Sequence, residues 1–182
     1  MVKILAISGS LRSNSSNTNI LRSMMELAAD RIELSIYDGM GELPHFNPEL
    51  DDELAMATVR DWRTQLQAAD GILFCTPEYA HGVPGSLKNA LDWIVASGEF
   101  MHKLTAVISA SPAPDGGAKA NAALVQTLRV MMAEIADDSI LCIPAVYNKF
   151  NDRAELTDLE TERALMSLLA SLVNEIDLQA IS

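Results

Sequence analysis

The sequence predicts an α/β fold in which a five-stranded parallel sheet lies between two layers of helices. Two observations carry this. Apolar runs of strand length alternate with helically periodic segments five times over, and several runs are nearly continuous, as strands covered on both faces require. The runs are Val2 to Ile7, Ile32 to Tyr37, Gly71 to Thr76, Leu104 to Ser109 and Ser139 to Ile143. The second alternates through Ile32, Leu34 and Ile36. Between the runs lie four apolar stripes: Ile20, Leu21, Met24 and Ala28; Leu87, Ala90, Leu91 and Ile94; Leu124, Leu128, Met131 and Ile135; and Leu165, Leu168, Leu169, Leu172 and Ile176. A weaker helix spans Asp52 to Ala68, and a capping box from Thr157 to Glu160 opens the last helix. No internal repeat, low-complexity tract or linker interrupts the pattern, so residues 1–182 are expected to form one domain with room for a substantial core.

Composition narrows the function. Hydrophobic residues make up 49% and charged residues 21%, which is globular rather than disordered. The net charge of -12 argues against nucleic acid and gives no attraction to an anionic membrane. It leaves a local anion site open, because salt screens charge over about 8 Å. No apolar run has the roughly 20 residues that span a bilayer, and MVKILAIS reads better as a first strand than as a signal peptide. A cytoplasmic location is therefore expected. Cys75 and Cys142 sit in strand-like runs and read as core thiols. His45, His81 and His102 lack metal-ligand spacing, so no metal is expected.

In an open parallel sheet, ligands bind beyond the carboxyl ends of the strands. The loops after strands one, three and four are thus where chemistry is expected. Two connections, Asp38 to Leu50 and Ser109 to Lys119, are also long enough to be functional. The first loop, SGSLRSNSSNTN, crowds Ser10, Arg12, Ser15, Ser16, Asn17 and Thr18 onto a helix start. Free backbone amides, hydroxyls and a guanidinium at such a place favour an anion. The loop has neither GxGxxG nor GxxxxGK[ST], which leaves a terminal phosphate monoester as the better ligand. The same residues also fit an ordinary polar loop capped by Asn17 or Thr18.

After strand three comes TPEYAHGVPGSLKNALDWI. Pro77 forces a turn, Pro84 and Gly85 make a second, and Ser86 can cap the following helix. A planar ring laid against Pro77 to Gly82 would meet Tyr79 and the amides of Glu78 to His81. Each residue also has a plainer reading: Glu78 as a solvated carboxylate, Tyr79 and His81 as ordinary loop side chains. Trp93, at the border of its stripe, packs either in the core or in a subunit contact.

Together, GSLRSNSSN followed by PEYAHGVPGSLKNALDW resembles the NADPH-dependent FMN reductase family, whose relatives include chromate and quinone reductases and azoreductases. LPHFNPEL at 43 to 50 and the GGA at 116 to 118 extend the resemblance over most of the chain. It implies a flavodoxin-like three-layer sandwich. By the same resemblance Ser10, Arg12, Ser15 and Asn17 hold the FMN phosphate, with Ser16 and Thr18 beside them. Pro77, Glu78 and Tyr79, with Ala80 and His81, line the isoalloxazine, and Ser111 and Gly117 border it. The implied reaction takes hydride from NADPH or NADH onto FMN and passes electrons to a small acceptor: a quinone, free flavin, azo compound or metal oxyanion. The cofactor carries this chemistry, so no catalytic side chain is nominated. A homodimer or homotetramer is implied, with Trp93 and the Asp38 to Leu50 connection as candidate interface elements.

The chain departs from the family pattern in two places. Ala80 stands where many relatives carry Asn, and SPAPDGG is less glycine-rich than is usual before the GG pair. Two other readings use the same fold: an electron carrier like flavodoxin, and a binding protein without cofactor. Tyr79 as the lone aromatic placed to stack argues against the carrier, which walls its flavin on both sides.

Overall fold

A computed structural model describes residues 1–50 and 57–181. Its strands are β1 (Val2–Ser8), β2 (Ile32–Tyr37), β3 (Gly71–Thr76), β4 (Leu104–Ala110) and β5 (Ile140–Ile143). Its helices are α1 (Ser16–Leu27), α2 (Ala57–Ala68), α3 (Gly85–Asp92), α4 (Ala118–Val130) and α5 (Leu159–Gln179). The expected start of the second helix, at Asp52, lies outside the described residues. All strand pairs are parallel, in the order β2-β1-β3-β4-β5. This is the flavodoxin-like order, whose switch point lies between β1 and β3.

Apolar patterning explains the layers. Every residue of β3 and β4 is buried, so each sends side chains into both faces. One face packs Leu5, Ile7, Ile72, Phe74 and Val107 against Trp62 of α2, Leu87 and Leu91 of α3, and Leu124 and Leu128 of α4. The other packs Ile4, Ala6, Leu73, Ala106 and Ile108 against Ile20, Leu21 and Met24 of α1 and Leu165, Leu169 and Leu172 of α5. The edge strand β2 buries Leu34 and Tyr37 but exposes Glu33 and Ser35, which accounts for its alternation.

Three local expectations change. The last helix is capped by Asp158 rather than Thr157: Asp158 accepts from the Thr161 amide at 2.9 Å and the Thr161 hydroxyl at 2.6 Å. These bonds, the hydroxyl's foremost, and that from Lys149 draw its carboxyl down to about 2. The Thr157 amide instead donates to the Lys149 carbonyl. Helix α3 starts at Gly85 with Pro84 as cap, so Ser86 is already inside it. Trp93 is only 1% exposed, and its indole donates to the Pro44 carbonyl at 2.8 Å. It is a core residue of this chain. Asn89 binds the same stretch, donating to the Pro44 carbonyl and accepting from the Phe46 amide. The Asp38 to Leu50 connection is thereby pinned to α3, and Phe46 lies edge-on to Trp93 with a centroid separation of 5.1 Å.

Candidate active site at the carboxyl ends of the strands

A parallel sheet delivers all its strand-to-helix loops to one end, and a cavity of about 200 Å³ opens there. The loop after β1 contributes Ser10, Arg12, Ser15, Ser16 and Asn17 to its wall. The loop after β3 contributes Pro77, Glu78 and Tyr79, and the end of β4 with its loop contributes Ala110, Ser111 and Pro112. Val146 and Tyr147, after β5, complete it.

The phosphate end is built by the register of β1 and β3. The Gly9 amide donates to the Cys75 carbonyl at 2.8 Å, and a Cβ on Gly9 would stand 2.6 Å from the Thr76 hydroxyl, so only glycine lets the chain leave β1 this closely. Ser8 and Thr18 join their hydroxyls at 2.7 Å beneath the loop. Thr18 is therefore a buttress rather than a wall of the cavity. Ser15 precedes α1 with extended backbone and makes no side-chain cap. Among the described residues, the amides of Ser16, Asn17 and Thr18 have no protein acceptor. The neutral reading of Asn17 or Thr18 as N-cap does not hold, since Ser15 occupies that position. The Asn17 side chain is engaged elsewhere, donating to the Ala110 carbonyl and accepting from the Cys75 thiol, both at 3.3 Å. What Asn17 has left for a ligand is its backbone amide and the second N–H of its side chain. Burial pushes the Cys75 thiol far up and leaves it inert.

The ring end is framed by the loops after β3 and β4. Tyr79 and Gly82 exchange backbone hydrogen bonds at 3.1 and 2.9 Å around a two-residue turn. Its central residues, Ala80 and His81, take positive φ of 49° and 63°. Neither Ala80 nor His81 is among the residues that line this cavity. Glu78 reaches the wall, but its carboxylate accepts from the amides of Lys119 and Ala120 at 3.1 and 3.0 Å. Its other oxygen pairs with His81 Nδ1 at 3.1 Å. These bonds, that of Ala120 foremost, hold the Glu78 carboxyl below the usual carboxylate range. Gly117, with φ of 79°, is the N-cap of α4; it does not line the cavity itself but packs beside Glu78 and Ser111, which do.

Ala110, Pro112, Val146 and Tyr147 are cavity residues that sequence reasoning missed, and Tyr147 is the one with an aromatic ring. It projects from a 3-10 turn, Val146–Lys149, where the Val146 amide donates to the Ser111 carbonyl at 3.1 Å. The parallel topology was the available signal, since the loop after β5 must reach the same end of the sheet as the others. Tyr79 is thus not the lone aromatic of the cavity, and the two tyrosines are 51% and 61% exposed.

The donor set fits FMN. Three orphan amides at a helix start, serine hydroxyls and one guanidinium suit a phosphate monoester. Loop backbone and Tyr79 after β3 suit a flat heterocycle, and Tyr147 adds a second aromatic to the wall. Comparison with known proteins agrees. The profile of the family described as NADPH-dependent FMN reductase matches residues 2–146. A quinone reductase of Pseudomonas putida is 34% identical over 165 residues, covering 85% of this chain and 84% of its own. An NAD(P)H-dependent FMN reductase of Pseudomonas aeruginosa is 32% identical over 173 residues, covering 94% and 93%. The solved structure of FerB, a flavoenzyme NAD(P)H:acceptor oxidoreductase from Paracoccus denitrificans, superposes with a TM-score of 0.87 at 28% identity, over 97% of this chain and 98% of that one. On this sequence match, reinforced by the strand order and the phosphate-fitting loop, the chain belongs to the NADPH-dependent FMN reductase family.

Proposed function

We propose that the cavity holds FMN with its phosphate at the start of α1 and its ring between the loops after β3 and β4, and that NADPH or NADH and a small acceptor use that one site in turn. The chain is an oxidoreductase by family. Bound FMN would supply the two-electron chemistry between nicotinamide and acceptor. The observation that carries the reading is the unfilled start of α1: amides of Ser16, Asn17 and Thr18 without acceptors, beside Arg12 and at the switch point of the sheet.

Each group then has a physical task. Ser10, Ser15 and Ser16 offer hydroxyls to the phosphate, and Arg12 offers a charge. Pro77, Tyr79 and Ser111 would border the ring, and Tyr147, exposed like Tyr79, would add an aromatic wall that leaves the site open. A quinone or azo compound is the favoured acceptor class, because such flat conjugated molecules can stack where the nicotinamide does. A single domain over 1–182 in the cytoplasm suits this role. A homodimer or larger assembly is also part of the reading, through the pinned Asp38 to Leu50 connection, which presents Phe46 and Leu50 to solvent.

The test is direct. Purified protein should bind FMN with the visible flavin band and should oxidise NADPH with a quinone in the absence of any protein partner. Bound flavin without such turnover would point to a carrier. No flavin binding would reject the reading.

A further inference from the structure

Two helix N-termini bear on the cavity, α1 directly and α4 through Glu78, and they are finished differently. At α1 the first-turn amides are open. At α4 the N-cap is Gly117, which has no side chain to offer, and the first-turn amides of Lys119 and Ala120 are taken by Glu78 from a different loop. From this contrast we propose that Glu78 is a positioning residue. Its carboxylate occupies the positive end of α4, ties the loop after β3 to the loop after β4, and leaves α1 as the place where a cofactor phosphate can sit. The proposal rests on the reading that the cavity binds FMN, and it gives Glu78 a task other than contact with the ring.

The ties are mutually dependent. Two amides converge on one Glu78 oxygen, an arrangement that satisfies orphan donors and places negative charge where a helix favours it. The Glu78 side chain is only 11% exposed, so water competes weakly for these bonds. A Cβ on Gly117 would stand 3.3 Å from the Glu78 Cβ, closer than packed carbons sit with ease, so glycine is what admits the carboxylate to the helix end. On the other side, His81 Nδ1 lies 3.1 Å from Glu78 and 3.3 Å from Lys119 Nζ, so according to its tautomer it donates to the carboxylate or accepts from the ammonium.

The loop after β3 needs such a restraint. Its turn holds two non-glycine residues at positive φ, a conformation that persists only where the surroundings impose it. The backbone bonds between Tyr79 and Gly82 are internal to that turn and do not fix it to the rest of the molecule. Glu78 does. Without it, the two loops that frame the ring would lose their common anchor, and α4 would present a second open N-terminus beside the cavity.

The experiment uses the full chain as wild type, Glu78→Gln and Glu78→Ala, each as apoprotein and with FMN. Amide exchange in the apoprotein reads the tie itself. Lys119 and Ala120 should exchange about tenfold or more faster in the Ala variant, the factor a charge-assisted hydrogen bond supplies. The visible circular dichroism of bound flavin reads ring placement and should fall, while KM for nicotinamide and acceptor rises more than kcat falls. Glu78→Gln keeps one acceptor oxygen without the charge and should lie between. Wild-type amide protection or wild-type flavin dichroism in the Ala variant overturns the proposal, as it does in the Gln variant should the Ala variant not fold. Wild-type protein that binds no FMN would instead reject the reading of the cavity, and amide exchange would still judge the tie.

Discussion

Replacing Ala80 with Asn should stabilise this protein. Ala80 sits at φ of 49° in the Tyr79–Gly82 turn and is exposed, so a longer side chain meets no obstacle. Left-handed backbone costs an L-residue about 1–2 kcal/mol, and Asn recovers part of that by bonding its own backbone. Gly at the same position removes the steric penalty, but adds back roughly 0.4–1 kcal/mol through the freer unfolded chain. Either variant should therefore gain about 0.5–1 kcal/mol, which raises Tm by roughly 1–4 °C in a domain of this size. Thermal and urea unfolding of the apoprotein, with an unchanged denaturant slope, is the assay. The pair Ala80→Asn with His81→Gly builds the preferred Asn-Gly turn, but also removes the His81 contact to Glu78, so the single variants isolate the backbone effect. A Tm that is unchanged or lower for both Asn and Gly at 80 would refute the reasoning, because strain at this φ is its whole basis.

Arg12→Ala should weaken FMN binding by about tenfold or more, the share of one charge-assisted hydrogen bond, and leave the apoprotein folded; fluorescence titration decides, and an unchanged dissociation constant removes Arg12 from the phosphate site. The lowered Glu78 carboxyl makes a pH prediction: its stabilisation is complete above the unfolded-state value of about 4.3 and is lost as pH falls through the depressed folded value. The Tm difference between wild type and Glu78→Gln should accordingly shrink on acidification below about pH 4, and a difference that grows there contradicts the assignment. The proposed single site for both substrates predicts parallel double-reciprocal plots for NADPH at several quinone concentrations, whereas converging lines would require a second acceptor site. Sedimentation should give a dimer or larger species, and Phe46→Asp should shift it toward monomer; an active monomer in the wild type counts against the assembly.

The sequence by itself determined the sheet, the helical layers and the end of the molecule where the ligand belongs. Hydrophobic period, turn residues and a hydroxyl-rich loop are local properties, legible in a few consecutive residues. β3 and β4 read as buried strands because every position in them is apolar or small, and they are buried throughout. The stretch from Pro77 to Trp93 declared its family because its turns and spacings are contiguous. What only the tertiary structure decided are the pairings between distant loops. Glu78 looks solvated until α4 arrives 41 residues later with two unfilled amides. Trp93 fits either the core or a subunit contact until the Pro44 carbonyl takes its indole and buries it. Asn17 reads as a side-chain phosphate ligand until β3 and β4 engage that side chain, which makes its open backbone amide the more available donor. Tyr147 joins the cavity because β5 lies beside β4 and delivers its loop to the same end. Periodicity fixes which face of an element is buried, but a polar side chain's partner is set by which loops the sheet order brings within about 3 Å, and that distance exists only in the folded chain.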